Sequence, residues 1–501
     1  MTKKQISLLV FISIFVTFNI KAQELKTIGE IHNAYKNKII NAEQLTLLYI
    51  KRIKELNPLY NAVISIEPTA LKQARVLDSL AERGLWAGPL HGIPVLLKDN
   101  IETIGTLPTT AGSLALKNNV TNNDAFVVKK LRSAGAIILG KTNLSEWANF
   151  RSSFSSSGWS GIAGQTNNAH DITRSPWGSS SGSAVAIALN LAPVALGTET
   201  DGSITSPASV NGIYAIKPSM GQVSRSGSIP LSSSQDSIGP MAHSLNDALT
   251  VLSVIQGRDP LDASTTDFRL KRTTIKNKQP LIIGVLPSDQ FTVETQKVYA
   301  KQIQALKAAG HILVNIIITD NLDTLLADEY YVLLYDFKNE INQYLKNTPK
   351  EVTVKSLSNL IDFNEKNKEI EMPHFGQNIL IQSNAINLDE KRKYRQVKSR
   401  YRSVATKAIT NLYSNKILDI VIAPTTSPAW KTDLINGDST KNNSSSLPAI
   451  AGTTHITLPV GKVEHLPVGL SIIADINGEY AAYAYAQIID KVLSKDIKKP
   501  E

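Results

Sequence analysis

Cysteine is absent from all 501 residues. That removes a thiol nucleophile, a zinc–thiolate centre and a disulfide framework. Histidine is scarce, with eight residues, and none sits where its neighbours mark it as a general base. Long apolar runs are missing too. The most extended covers residues 6–18, broken only by Ser7, Ser13 and Thr17. It falls short of the roughly 20 residues that a membrane-crossing helix needs. Lys3 and Lys4 before it and Ala22 after it give the pattern of a secretory signal peptide over residues 1–23. With no cysteine to carry a lipid anchor, the sequence predicts export to the periplasm or beyond, without stable membrane association after cleavage.

What is present is ordinary for a globular protein: 42% hydrophobic and 19% charged residues. The formal charge of +10 is dispersed along the chain. Its densest run, Lys391-Arg392-Lys393-Tyr394-Arg395 with Lys398, Arg400 and Arg402, lies in a polar helical pattern without a recognition motif. A solvated helix face accounts for it, and no nucleic-acid partner is expected. Nothing in the sequence sets the oligomeric state.

Asn41-Ala42-Glu43-Gln44 has the form of a capping box. Leu45, Leu48, Tyr49, Ile53 and Leu56 follow on one helical face. Pro68 opens a second helical pattern with Leu71, Ala74, Leu77 and Leu80 as its stripe. From residue 93 short apolar runs (93–97, 136–139, 191–196) alternate with helical stretches such as 125–134. This predicts an α/β fold, with a mixed, mostly parallel central sheet covered by helices on both faces. Residues 150–240 are crowded with Ser and Gly, yet helical and strand patterns are embedded among them, which suits a site built from tight backbone turns. Residues 259–416 read mainly as peripheral helices. Strand patterns return at 417–423, 456–460 and 468–473.

Two serine clusters could supply a nucleophile. Gly197-Thr198-Glu199-Thr200-Asp201-Gly202-Ser203 puts a serine at the end of a Gly-containing turn after a strand pattern. Such a turn can aim consecutive N–H groups at one point and so cradle an oxyanion. Gly178-Ser179-Ser180-Ser181-Gly182 contains a literal G-x-S-x-G centred on Ser180. A nucleophile elbow, however, needs a strand just before it and an acid and histidine after it. Residues 171–177 are polar and contain Pro176. In place of histidine, Lys98 ends the apolar run 93–97. Burial disfavours its charged form, and lowering a lysine pKa from about 10.4 to about 7.5 corresponds to roughly 4 kcal/mol. A solvated or salt-bridged lysine is the plain alternative.

Taken together, GIPVLLKDN around Lys98, GSSSGSA around Ser179 and GTETDGSITSPAS around Ser203 closely resemble the amidase signature family. GAIILGKTNLSE (135–146), IAPTTSP (422–428) and LPVGL (466–470) extend the likeness. WANFRSS (147–153), SGWSG (157–161) and SQDSIGPMA (234–242) are similar to the peptide amidases within it. The resemblance implies one amidase domain over residues 24–501 with a signature core at about 85–245. It also implies a Lys98–Ser179–Ser203 triad with a cis geometry at Ser179 and an oxyanion hole from Thr200, Asp201, Gly202 and Ser203. The implied reaction converts a primary carboxamide, such as a C-terminal peptide amide, to carboxylate and ammonia through an acyl-enzyme, without metal or organic cofactor.

Many family members have two glycines before the nucleophile and an arginine soon after it. Here Asp201 replaces the first glycine, and Thr205 and Ser206 follow Ile204. The missing arginine speaks against carboxylate-bearing substrates. Asp201 either meets the substrate or braces the turn through hydrogen bonds to nearby backbone. Phe150, Phe154, Trp159 and Gln235 are candidates for a substrate channel or for ordinary packing. The competing functions are a broader amidase or esterase acting on aryl, acyl or fatty amides, the transamidation component that makes glutaminyl-tRNA, and a non-catalytic binding protein on the same scaffold.

Overall fold

The computed structural model describes residues 25–267, 279–414, 417–439 and 442–497. The export segment expected at 1–23 lies outside them. Asn41 opens the helix Ala42–Tyr60 with the expected reciprocal cap: its side chain accepts from the Gln44 N–H at 2.8 Å, while its own N–H reaches Gln44 Oε1 at 3.1 Å. The helix expected from Pro68 begins at Ala70, just beyond it.

The strands are β1 (Val63–Ile66), β2 (Pro94–Lys98), β3 (Ile137–Thr142), β4 (Trp159–Ser160), β5 (Gly164–Gln165), β6 (Val194–Glu199), β7 (Tyr214–Lys217), β8 (Ser237–Ala242), β9 (Ile282–Val285), β10 (Ile312–Asn315), β11 (Ile420–Pro424), β12 (His455–Val463) and β13 (Leu466–Ile473). All but the β4–β5 ribbon join one sheet, in the order β1-β3-β2-β6-β8-β7-β12-β13-β11-β9-β10. The α/β class and the amidase-type architecture expected from the sequence are therefore present.

The direction of pairing needs correcting. Only β3-β2-β6 and β11-β9-β10 pair in parallel, and every other neighbouring pair is antiparallel. The sheet is mixed and mostly antiparallel. Strands covered on both faces read as continuous apolar runs whichever way they point, so composition alone could not give direction. The β12–β13 hairpin turns on Glu464, at φ 55°, and His465, without a crossover helix. The stretch 259–416 also holds more than helices. β9 and β10 lie within it, and β10 is a partly exposed edge strand whose polar surroundings masked it.

Val95, Leu96 and Leu97 of β2 face Val194, Ala195 and Leu196 of β6 in parallel register, and all six are fully buried. The two strands therefore end side by side. The carboxyl ends of parallel strands are where α/β sheets place their ligands. A second apolar cluster sits over that end. Helix Leu325–Lys346 contributes Phe337, Ile341 and Leu345, which pack with Trp147, Phe150 and Leu116. Each such large side chain stabilises the fold by about 1.5–3 kcal/mol relative to exposure.

Candidate active site

Lys98 closes β2 with no solvent exposure. Its Nζ lies 2.7 Å from Ser179 Oγ, 2.8 Å from Thr198 Oγ1 and 3.2 Å from the Thr198 carbonyl. Asn100 Nδ2 also donates to Thr198 Oγ1, at 3.0 Å. Burial lowers the amine from its ordinary 10.5 to about 7, although the charges of Asp236 and Glu199 pull the other way.

Ser179 follows a cis peptide bond from Gly178 and is fully buried. Its carbonyl accepts the Ser145 N–H at 3.0 Å. The next residue, Ser180, joins the two serine loops: its N–H donates to the Ser203 carbonyl at 3.1 Å. The Ser180 hydroxyl is already occupied, donating to the Thr198 carbonyl at 3.0 Å and accepting the Thr198 N–H at 3.2 Å. No strand precedes it, and helix Ser181–Ala188 follows at once. The elbow geometry is therefore absent at Ser180. Gly197 must lack a side chain for this contact, because a Cβ there would stand 2.7 Å from Ser180 Oγ.

Ser203 is 8% exposed and stands at the end of the turn after β6. Gly202 has φ +77°, and a Cβ there would meet Ser445 Oγ at 2.7 Å. Glu199 Oε2 accepts from the N–H groups of Ile204 at 2.7 Å and Thr205 at 3.0 Å, so this buried carboxyl caps the helix Thr205–Asn211. Thr200 Oγ1 donates to Asp236 Oδ1 at 2.6 Å, while Asp236 Oδ2 accepts from the N–H groups of Leu231 and Ser232. Among the described residues, no carbonyl or side chain accepts from the N–H groups of Asp201, Gly202 and Ser203. They are free to serve an oxyanion.

The departure at Asp201 is a brace, though not to nearby backbone. Its two oxygens accept from Ser445 Oγ at 2.5 Å and Ser446 Oγ at 2.6 Å, and burial pushes its carboxyl upward. The other candidate substrate residues are dispersed. Phe150 is buried, 5.2 Å from the Phe337 ring. Trp159 is buried against Phe375 and the guanidinium of Arg151, which stands 4.8 Å from its ring. Phe154 is 58% exposed. Gln235 is buried, and its Nε2 donates to the Thr200 carbonyl at 3.1 Å and to Glu329 Oε1 at 2.7 Å.

Sequence reasoning missed the supporting cast. Asn100 and Thr198 lie inside the quoted motifs and could have been found there. Glu329, Ser445 and Ser446 carry no local signal. Arg151, fully buried, was missed as well. Its Nη1 contacts Glu146 Oε1 and Oε2, each at 3.3 Å, and the Glu371 carbonyl, and its Nη2 reaches the Phe375 carbonyl at 3.4 Å. A cavity of about 210 Å³ reaches Asn100, Thr198 and Thr200 from the side of Arg225 and Glu340. Among the described residues no cluster of three or more His, Asp or Glu is arranged to hold a metal ion.

The Amidase family profile matches residues 44–482. A probable amidase of Arabidopsis thaliana is 38% identical over 447 residues, 87% of this chain and 83% of that protein. The native peptide amidase of Stenotrophomonas maltophilia superposes with a TM-score of 0.85 at 38% identity, covering 93% of this chain and 97% of that one. A peptide amidase bound to the competitive inhibitor chymostatin superposes at 0.86, again at 38% identity, over 93% of this chain and 98% of the other. A glutamyl-tRNA(Gln) amidotransferase component of Pseudomonas aeruginosa is 32% identical over 494 residues, 93% of this chain and 97% of that one.

Proposed function

The chain belongs to the amidase family and is a hydrolase of amide C–N bonds, and from that premise we propose that it converts C-terminal peptide carboxamides to carboxylates and ammonia with Lys98, Ser179 and Ser203. The observation that carries the reading is the fully buried Lys98 amine, 2.7 Å from Ser179 Oγ and brought to about 7 by its surroundings.

Proton counting supports the roles. A neutral amine has two N–H bonds and one lone pair. The Thr198 carbonyl and Thr198 Oγ1 take the two N–H bonds, which leaves the lone pair for the Ser179 O–H. Ser179 then accepts the proton of Ser203 as the Ser203 oxygen attacks the amide carbon. The developing oxyanion lies against the N–H groups of the Asp201–Ser203 turn. When the C–N bond breaks, the proton held on Lys98 returns through Ser179 to the departing NH2, which leaves as NH3. Water next gives a proton to the same relay and attacks the acyl carbon. The acyl–oxygen bond breaks, Ser203 regains its proton, and the carboxylic acid so formed departs, giving its remaining proton to solvent or to the released ammonia.

The choice of peptide amides rests on the likeness to the peptide amidases and on the absence of an arginine after Ser203. Ammonia release from a panel of peptide amides, anilides and esters tests it, with Lys98→Ala and Ser203→Ala as controls. Full activity in Ser203→Ala removes the triad, whereas faster turnover of anilides or esters than of peptide amides removes only the substrate class. Export through residues 1–23 belongs to the same proposal. N-terminal sequencing of the mature protein from the periplasm or medium, beginning near residue 24, would support it, and an intact Met1 would refute it.

A further inference from the structure

The three proposed catalytic groups do not by themselves aim the oxyanion cradle. A peptide unit is planar and trans, so its C=O and N–H point in opposite directions. Fixing the carbonyl of one residue therefore fixes where the next residue's N–H points. In the turn before Ser203, the Gly202 carbonyl is held by the Ser206 N–H at 2.9 Å, which orients the Ser203 N–H. The Thr200 carbonyl shares its peptide plane with the Asp201 N–H. It is held from outside the turn by Gln235 Nε2 at 3.1 Å. The second hydrogen of the same amide goes to Glu329 Oε1 at 2.7 Å.

We infer that Gln235 and Glu329 are positioning residues, and that together they aim the Asp201 N–H at the oxyanion. This rests on the triad reading given above, and it extends the support of the turn to helix Leu325–Lys346, which carries Glu329. Gln235 is 1% exposed and Glu329 6% exposed, so neither is a surface contact free to wander. Both hydrogens of the Gln235 amide are used, which fixes its plane as well as its position. Burial and the nearby charge of Asp201 hold the Glu329 carboxyl well above the usual carboxylate range. In the 2.7 Å contact its Oε1 accepts from Gln235 Nε2, as the carbonyl oxygen of a glutamine side chain would. The anchor lies far from the turn in sequence yet bonds the one carbonyl that sets the first free N–H.

The test compares Gln235→Leu, Gln235→Met, Glu329→Gln and Glu329→Leu by kcat, KM and affinity for a peptide aldehyde, whose hemiacetal with Ser203 carries an oxyanion. Removing an oxyanion donor outright costs about 10²–10³-fold in kcat. Misdirecting one in Gln235→Leu should cost on the order of 10²-fold, with KM nearly unchanged and aldehyde affinity falling in step. Gln235→Met keeps more of the side-chain volume and should show the same split, which covers the case where Leu fails to fold. Glu329→Gln should stay within about threefold of wild type, and Glu329→Leu should fall between the two. A structural role alone would lower thermal stability and leave the aldehyde affinity of the folded enzyme intact. Folded Gln235 variants with normal kcat and normal aldehyde affinity overturn the inference. If Ser203→Ala is also fully active, the triad reading falls first; if Ser203→Ala is inactive, only the positioning role is lost.

Discussion

Two buried lysines at the ends of neighbouring strands have opposite environments. β2 and β3 pair in parallel, with Leu97 opposite Lys141 and Lys98 opposite Thr142. One residue of register thus sends the two amines to opposite faces of the sheet. Lys98 meets only hydroxyls and a carbonyl. Lys141 meets the carboxylate of Asp99 at 3.4 Å, together with the Ile101 carbonyl and Thr109 Oγ1. Both are fully buried, and burial pulls both downward. For Lys141 an adjacent carboxylate opposes that pull, and for Lys98 only more distant charges do. Burial is common to both lysines; an adjacent counter-ion is what distinguishes Lys141.

The comparison can be broken most severely at the catalytic face. Ser203→Ala should lose about 10⁴-fold or more in kcat/KM, and Lys98→Met about 10²–10⁴-fold, with circular dichroism preserved in both. Lys98→Met should even be more stable than wild type at pH 7. The folded amine has a lower pKa than the unfolded one, so its burial cost is greatest below about 7 and fades as pH rises toward its ordinary 10.5. Equal stabilities at pH 7 in urea titrations would argue against a depressed Lys98.

Lys141→Met should do the reverse. It strands Asp99 without its cation, at about 3–5 kcal/mol of stability, and a urea midpoint unchanged from wild type would contradict the ion-pair account. A subtler difference lies in pH dependence. In the proposed mechanism Lys98 acts as the neutral amine, so kcat/KM should rise with pH and level off above about 7. A flat profile between pH 5 and 8 would rule out Lys98 as the base. The smallest effect is expected at Phe154, where Ala should change stability by less than about 0.5 kcal/mol. A raised KM for peptide amides with unchanged kcat would identify it as a substrate contact.

The two lysines also explain what could be read from the chain. Lys98, Ser179 and Ser203 could be singled out as candidates because each lies in a compact stretch whose neighbours carry chemical meaning. The same stretch 93–100 holds Asn100, and GTETDGS holds Thr198 and Glu199, though their roles emerge only in three dimensions. Lys141 sits in an equally apolar run, and only the fold gives it Asp99 as a partner. Strand order and direction stayed hidden because covered strands look alike. Phe150, Trp159 and Gln235 were plausible substrate contacts by composition, yet two pack in the interior and the third holds a backbone carbonyl. Asp201 and Glu329 find their partners across long stretches of sequence, and no local pattern announces such pairings.

Arg151 has a consequence for the wholeness of the chain. Its guanidinium is enclosed by Glu146 from its own loop and by Glu371 and Phe375 from far downstream, and its backbone carbonyl accepts from the N–H groups of Ile379 and Leu380. During synthesis the cation must wait for more than two hundred further residues before its enclosure exists. A fragment trimmed to residues 85–245 would keep every proposed catalytic side chain and still leave this arginine and Glu146 facing a missing wall. The proposed chemistry is written in the first half of the chain, but the first half cannot be expected to stand alone.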